Sequence, residues 1–177
     1  FRREMAARRT VGTVADRPVP RAVIENCLRT AGSAPNGANL QPWHFVAVSD
    51  AALKSKIRIA AEEEENEFYT HRATNEWLEA LAALGTDAAK PFLETAPWLI
   101  AIFAQPYEVL PDGRKLQPYY DTESLGIATG FLTAAGPPAC LCSLAQTPTP
   151  LGFLTNQPNR PPHEPPHLLC VVAHPTP

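Results

Sequence analysis

The run PWLIAIFAQ, residues 97–105, restricts the possible folds more than any other stretch of the sequence. From Trp98 to Ala104 every residue is apolar, without the polar–apolar alternation of a strand that has one face in water. A strand of this kind is buried on both faces. The chain must therefore pack other elements against both sides of a sheet.

Helical periodicity separates the predicted strands. Residues 19–32 form an amphipathic helix with Pro20 near its start and Gly32 at its end, and Asp50 is the predicted N-cap of a long helix over 51–69. Further helices are predicted up to Arg9 and over 75–84, 88–95 and 119–136, and the last, apolar on most sides, should be buried. Other strands are predicted at 43–49, 139–146 and 167–173, with a turn around Asp112 and Gly113. This order predicts a mixed α+β domain.

Composition excludes several classes of function. A chain of 177 residues suits a single domain, and its net charge of −3 gives no attraction to nucleic acid. Neither a secretory signal nor an uninterrupted apolar helix is recognisable, so we expect a cytoplasmic protein with no membrane partner.

Four cysteines in a chain of this size do not indicate a disulfide scaffold. Cys140-x-Cys142 together with His163 and His167 suggests a zinc site, but the spacing differs from that of common zinc fingers. Two prolines between the histidines also prevent a helical His pair. We therefore expect buried, inert thiols and no metal.

Six segments, in their order and spacing, resemble the FMN-dependent nitroreductase family: RRTVG, APNGANLQPWHFVAV, PFLETAPWLIAIF, YYDTESLGIATGFLTAA, QTPTPLGFL and LLCVVAHP. The segment from Glu62 to Pro97 resembles the iodotyrosine deiodinase branch. This resemblance implies an α+β nitroreductase-like sandwich, with a central, mainly antiparallel sheet flanked by helices. It also implies an intertwined homodimer with FMN at the interface and NAD(P)H as the electron source, used directly or through a reductase.

Cofactor contacts follow from the same resemblance. Arg8, Arg9 and Thr10 match the family's contacts to the flavin phosphate, and guanidinium and hydroxyl donors suit a phosphate. The loop with Asn36 and Gly37 matches the segment beside the flavin ring, with Asn36 where the family usually has serine. The remaining predicted cofactor contacts, at the start of QTPTP, are Gln146 and Thr147. Thr147 is the catalytic candidate because the matching threonine reaches flavin N5 and favours one-electron steps.

A substrate clamp is predicted from Glu65, Tyr69 and Lys90. In a helix Glu65 and Tyr69 lie on one face, and Lys90 follows Tyr69 at the interval of the deiodinase branch. The resemblance implies that Glu65 binds an α-ammonium, Lys90 an α-carboxylate and Tyr69 the same zwitterion, while the Ala38 N–H receives a phenolate oxygen. Without the resemblance, Glu62 to Glu65 would be interpreted as a solvated helix end and Lys90 as a surface charge.

Three departures from the family pattern bear on activity. Gly12 stands where the family often has a further phosphate-binding arginine, and the sequence stops at VVAHPTP, where the family continues with an arm that wraps the partner subunit. Pro137 and Pro138 interrupt a family helix, and Cys140 replaces an expected glycine. We therefore expect one nitroreductase-like domain over 1–177 without that arm, weakened FMN binding and a loosely packed C-terminal quarter.

The expected function is FMN-dependent reductive dehalogenation of a halotyrosine or related halophenol. One alternative is a general NAD(P)H nitroreductase or quinone reductase that accepts small nitroaromatics. Another is a truncated homologue with weak or no FMN binding and no turnover.

Overall fold

The computed structural model describes residues 2–82, 85–146, 152, 154, 160–161 and 163–176. Its α-helices are α1 (Arg2–Ala7), α2 (Arg21–Gly32), α3 (Ala51–Glu67), α4 (Asn75–Ala82), α5 (Phe92–Thr95) and α6 (Asp121–Ala135). Its strands are β1 (Val14–Ala15), β2 (Trp43–Val48), β3 (Trp98–Ala104), β4 (Glu108–Val109), β5 (Lys115–Leu116), β6 (Cys142–Gln146) and β7 (Pro166–Pro175). A π-helical turn, Phe68–Arg72, extends α3.

The described residues contain one main sheet of five strands, and β7 is its centre. β7 pairs with β3 along one edge, and it also pairs with β6 and, at its end, with β1; β2 lies beyond β3. All these pairings are antiparallel, as predicted, and a single parallel bridge joins Thr10 to Ser143. β4 and β5 form a separate hairpin around Gly113, whose φ of +83° suits glycine.

Alternate residues of β3 belong to two different cores. Ile100 and Ile102 pack with α2 and α6 on one face of the sheet. Leu99 and Phe103 pack with residues of α3 and α5 on the other. The sequence interpretation of β3 as a strand buried on both faces is confirmed, since every residue from Leu99 to Phe103 is fully buried.

Several predicted helices differ from those in the structure. The N-terminal helix ends at Ala7 rather than Arg9. The predicted helix over 88–95 is reduced to α5, because Pro91 disfavours helical backbone at the residue before it. The helix over 75–84 ends at Ala82 within the described residues. α6 is less buried than predicted, because Ile127 and Phe131 remain 41% and 38% exposed.

The C-terminal quarter is not loosely packed where the structure describes it. Half of β7, the run from Leu169 to Ala173, is buried, and Leu154 is fully buried. The proline pair after α6 forms a short 3-10 turn, Pro137–Ala139, which ends at Cys140 with φ +57°. This left-handed backbone explains why glycine is expected at that position.

The cysteines have different environments. Cys27 and Cys170 are buried, and burial raises the pKa of the Cys170 thiol to about 12. Cys140, by contrast, is exposed, so the expectation of uniformly buried thiols was wrong. In the described part of the chain no group of three or more His, Cys, Asp or Glu side chains is placed to hold a metal ion. No helix in the described ranges has the length and apolar character needed to cross a bilayer.

Candidate active site

The three predicted clamp residues lie together at the end of α3. Lys90 is 5% exposed, although it precedes a proline in a surface loop. Its Nζ lies 3.3 Å from Glu65 Oε2 and 5.9 Å from the centre of the Tyr69 ring, and it donates to the Asp87 carbonyl. Lys90 is therefore not a surface charge. The alternative interpretation of Glu62 to Glu65 as a solvated helix end is also wrong for Glu65, whose carboxylate pairs with Lys90.

A cavity of about 500 Å³ opens beside this ion pair. Phe68 and Trp77 meet edge to face in its wall, with ring centres 5.4 Å apart, and the Tyr69 hydroxyl lies 3.2 Å from the Thr86 hydroxyl. A cavity of this size, mainly apolar with a few convergent polar groups, suits a small aromatic ligand. The residues that line it are Glu65, Phe68, Tyr69, Arg72, Trp77, Leu81, Thr86, Lys90 and Gln146.

The Glu65–Lys90 pair determines which ligands gain most from the cavity. A ligand with both an ammonium and a carboxylate can replace this one ion pair by two, whereas a neutral ligand leaves it unchanged. Both side chains are largely buried, so screening by water is weak: counting side-chain atoms alone, the exposed fraction is 14% for Glu65 and 7% for Lys90. The arrangement favours an amino acid head group.

Arg8 and Arg9 line a second cavity, of about 330 Å³, which Cys140 and Cys142 also line, and Thr10 follows them directly along the chain. Arg8 Nη1 lies 3.5 Å from the Thr10 hydroxyl, and Arg9 Nη1 donates to the Ala6 and Arg8 carbonyls. Two guanidinium groups and a hydroxyl form a donor set that suits a phosphate monoester. The FMN phosphate therefore fits the chemistry of these residues.

β6 links this donor set to the clamp cavity. Thr10 bridges to Ser143 near the start of β6, and Gln146 at its end lines the clamp cavity. The three residue steps between Ser143 and Gln146 cover about 10 Å of extended strand. Thr147, the predicted catalytic residue that follows, lies outside the described residues.

The predicted flavin loop has an unusual backbone. Ala38, Asn39 and Gln41 have φ values of +51°, +56° and +48°, a conformation that non-glycine residues adopt rarely and that is concentrated at functional sites. The Asn36 side chain holds the loop: its amide donates to the Ala34 carbonyl and its oxygen accepts from the Gln41 N–H at 2.8 Å. Within this single chain, neither Ala38 nor Arg8 is among the described residues that line the clamp cavity.

Gly37 is required by packing, which the sequence did not reveal. A Cβ at this position would lie 2.6 Å from the Tyr119 backbone oxygen. We expect Gly37→Ala to lower the free energy of unfolding by about 1–3 kcal/mol, since backbone must move to accept the methyl group. Urea unfolding measures this, with Gly126→Ala, where a Cβ meets open space, as the control. Equal stability of the two variants would contradict the contact.

Sequence reasoning also missed Thr86, Phe68 and Trp77 as cavity residues. An aromatic stripe could have signalled the last two, because Phe68, Tyr69 and Trp77 follow closely along the chain. No local pattern marks Thr86, which reaches Tyr69 across a loop.

Comparison with known proteins extends these observations. The Nitroreductase family model matches residues 5–145. An iodotyrosine deiodinase of Haliscomenobacter hydrossis is 53% identical over 171 residues, which cover 97% of this chain and 77% of that protein. Iodotyrosine deiodinase of Nematostella vectensis is 42% identical, with 99% and 67% covered, and iodotyrosine deiodinase 1 of Homo sapiens is 41% identical, with 96% and 59% covered.

Solved structures show the same fold. A crystal structure of oxidized iodotyrosine deiodinase bound to FMN and 3-iodo-L-tyrosine superposes with a TM-score of 0.88 at 28% identity, covering 99% of this chain and 89% of that one. A nitroreductase family protein from Clostridium novyi superposes with a TM-score of 0.74 at 16% identity, covering 99% and 85%.

Proposed function

The chain belongs to the nitroreductase family, in its iodotyrosine deiodinase branch, and we propose that it is an FMN-dependent oxidoreductase that removes halogen reductively from a halotyrosine. The observation that carries the proposal is the buried Glu65–Lys90 pair, 3.3 Å apart, beside an aromatic cavity. An amino acid head group and a phenol ring together match both parts of that site.

Each clamp residue has one role in this proposal. Lys90 binds the substrate's α-carboxylate and Glu65 its α-ammonium, so each charge of the zwitterion meets its opposite. The Tyr69 hydroxyl, now near Thr86, donates to the same carboxylate. Phe68 and Trp77 cover the ring and exclude water from it, which strengthens every charge interaction in the cavity.

The Ala38 N–H is the proposed donor to the phenolate oxygen. A fixed backbone donor stabilises that charge without reorganisation, because the loop backbone is held by Asn36. Ala38 is exposed in one protomer and is not among the described residues that line the clamp cavity. We propose that a second protomer brings its own Ala38 loop to this cavity, so that two copies of the chain complete the site.

The surface of α6 supports the homodimer. Ile127 and Phe131 leave an apolar face exposed, and a groove of about 610 Å³ between α2 and α6 is lined by Val23, Cys27 and Phe131 among others. A second copy that buries this face would remove apolar side chains from water.

Four free thiols also suit the reducing cytoplasm, where we place the protein.

Arg8, Arg9 and Thr10 are the proposed holders of the FMN phosphate. When bound, reduced FMN supplies the two electrons that convert a carbon–halogen bond and a proton into a carbon–hydrogen bond and a halide ion, and NAD(P)H, directly or through a reductase, replaces them. Asn36, Gly37 and Gln146 lie at the loop and strand end where the flavin ring is proposed to bind. Thr147 stays a prediction.

A titration tests the proposal. FMN is added to the purified protein while its absorbance is recorded, and 3-iodo-L-tyrosine or a small nitroaromatic is then added to the complex. We expect stoichiometric FMN binding at micromolar concentration and a further spectral change with iodotyrosine only. A change with the nitroaromatic alone would instead favour a general nitroreductase, and no uptake of FMN would favour an inactive homologue.

A further inference from the structure

One face of α3 makes hydrogen bonds to the segment that carries Lys90. Lys54, Arg58 and Glu62 recur every fourth residue and so share a helix face, and Glu65 of the clamp lies next to Glu62 along it. Each of these three polar side chains contacts the chain between Lys90 and Ala96. The clamp is thus the last part of a longer polar contact between α3 and this segment.

Glu62 makes the contact nearest to Lys90. Its Oε1 accepts from the Lys90 backbone N–H at 2.7 Å and from Arg58 Nε at 2.8 Å. Burial by itself would raise the pKa of the Glu62 carboxyl, but hydrogen bonds from Arg58 and the Lys90 N–H, with the charges of both residues, hold that pKa below its usual value. Glu62 is therefore an ionised acceptor at neutral pH.

Lys54 and Arg58 hold the other end of the segment. Lys54 is buried, and its Nζ donates to the Glu94 and Ala96 carbonyls at 3.0 and 2.7 Å, while Arg58 Nη1 donates to the Glu94 carboxylate at 3.3 Å. The carbonyls at the end of α5 would otherwise lack helical partners. The segment is therefore fixed on α3 at both Lys90 and Ala96.

We infer that Glu62 is a positioning residue: it fixes the backbone of Lys90 so that the Lys90 ammonium lies opposite Glu65 at the spacing of an amino acid head group. This inference rests on the proposed function. Lys90 precedes Pro91 and belongs to no helix or strand. Its carbonyl accepts from the Leu93 N–H of α5 at 3.0 Å, and the Glu62 hydrogen bond fixes its own N–H. A shift of the Lys90 backbone would move its ammonium away from Glu65 without touching the ring-binding part of the cavity.

The test compares Glu62→Ala, Glu62→Gln and Glu63→Ala in the FMN-loaded protein. Glu63 is the adjacent exposed glutamate and serves as the matched control. Quenching of flavin fluorescence measures the Kd of 3-iodo-L-tyrosine and of 2-iodophenol, which lacks the head group. We expect Glu62→Ala to raise the Kd of iodotyrosine at least tenfold and that of iodophenol less than twofold. Glu62→Gln keeps an oxygen acceptor for the Lys90 N–H, so it should stay within about threefold of the unmodified chain.

Hydrogen exchange at the Lys90 amide gives a second measurement, made without FMN or substrate. Glu62→Ala should speed this exchange at least tenfold, whereas Glu62→Gln and Glu63→Ala should not. If Glu62→Ala does not fold, Glu62→Asp, whose shorter side chain cannot reach the amide, should show the same faster exchange and a Kd raised at least threefold.

Two failures are distinguishable. If the unmodified chain binds FMN but no iodotyrosine, the proposed function is wrong, and unchanged exchange in the Glu62 variants would overturn the positioning role as well. If the unmodified chain binds iodotyrosine normally and Glu62→Ala matches Glu63→Ala for both ligands, only the positioning role is overturned.

Discussion

Lys90→Gln should weaken binding of 3-iodo-L-tyrosine by about 10- to 100-fold, because one charge-assisted contact is worth about 1.5–3 kcal/mol. Glu65→Gln should have an effect of similar size, since it removes the partner of the α-ammonium. Binding of 2-iodophenol, which has no head group, should change by less than twofold in either variant. Quenching of flavin fluorescence, with FMN saturating, measures both ligands.

The ion pair between Glu65 and Lys90 also affects the stability of these variants. Replacing one member of a buried ion pair leaves the other charge unpaired, so each single variant should also lose stability. The double variant Glu65→Gln, Lys90→Gln leaves no such charge and should recover stability but not iodotyrosine affinity. Glu63→Gln, on the exposed side of α3, is the control. Iodotyrosine affinity that is unchanged in both single variants would show that Glu65 and Lys90 pair only with each other.

The second large effect is expected at the phosphate site. Arg8→Gln and Arg9→Gln should each weaken FMN binding by about 10- to 100-fold, and the double variant by more, because each guanidinium contributes charge-assisted hydrogen bonds to a phosphate. Riboflavin, which lacks the phosphate, should bind all these variants and the unmodified chain alike. Isothermal titration of FMN and of riboflavin into the purified protein separates the two contributions.

Arg3→Gln on α1 provides the matched control, as an exposed arginine of the same charged segment. Gly12→Arg is the opposite test: a Cβ at Gly12 meets nothing within 4 Å, so the longer side chain has room. FMN affinity should rise if Gly12 lies at the phosphate. If Arg8→Gln and Arg9→Gln weaken FMN binding no more than Arg3→Gln does, the phosphate binds elsewhere.

The sequence was most informative where a local pattern dictates the structure. The uniform apolar character of Trp98 to Ala104 predicted the strand buried on both faces, and Asp50 was correctly placed as the N-cap of α3, where its side chain accepts from the Leu53 N–H. The common face of Glu65 and Tyr69 followed from helical spacing. These features depend on residues within a few positions of each other.

The remainder depended on contacts between distant residues. Spacing alone could not predict that Lys90 lies beside Glu65. The family resemblance predicted it, and the structure shows the pair. Neither source revealed the hydrogen bond between Glu62 and the Lys90 N–H, or the Tyr119 oxygen that excludes a side chain at Gly37. The exposed face of α6 was missed for a similar reason, since an apolar helix surface is the same in sequence whether this chain or a second copy covers it.

The central position of β7 has a consequence for synthesis of the chain. β3 ends at Ala104, but its partner β7 begins only at Pro166. At about 5–20 residues per second, a ribosome needs about 3–12 s to make the intervening segment. During that time one edge of β3 has no partner strand, and such an edge is open to pairing with other chains. Chaperone capture and aggregation therefore compete with folding until β7 has left the ribosome.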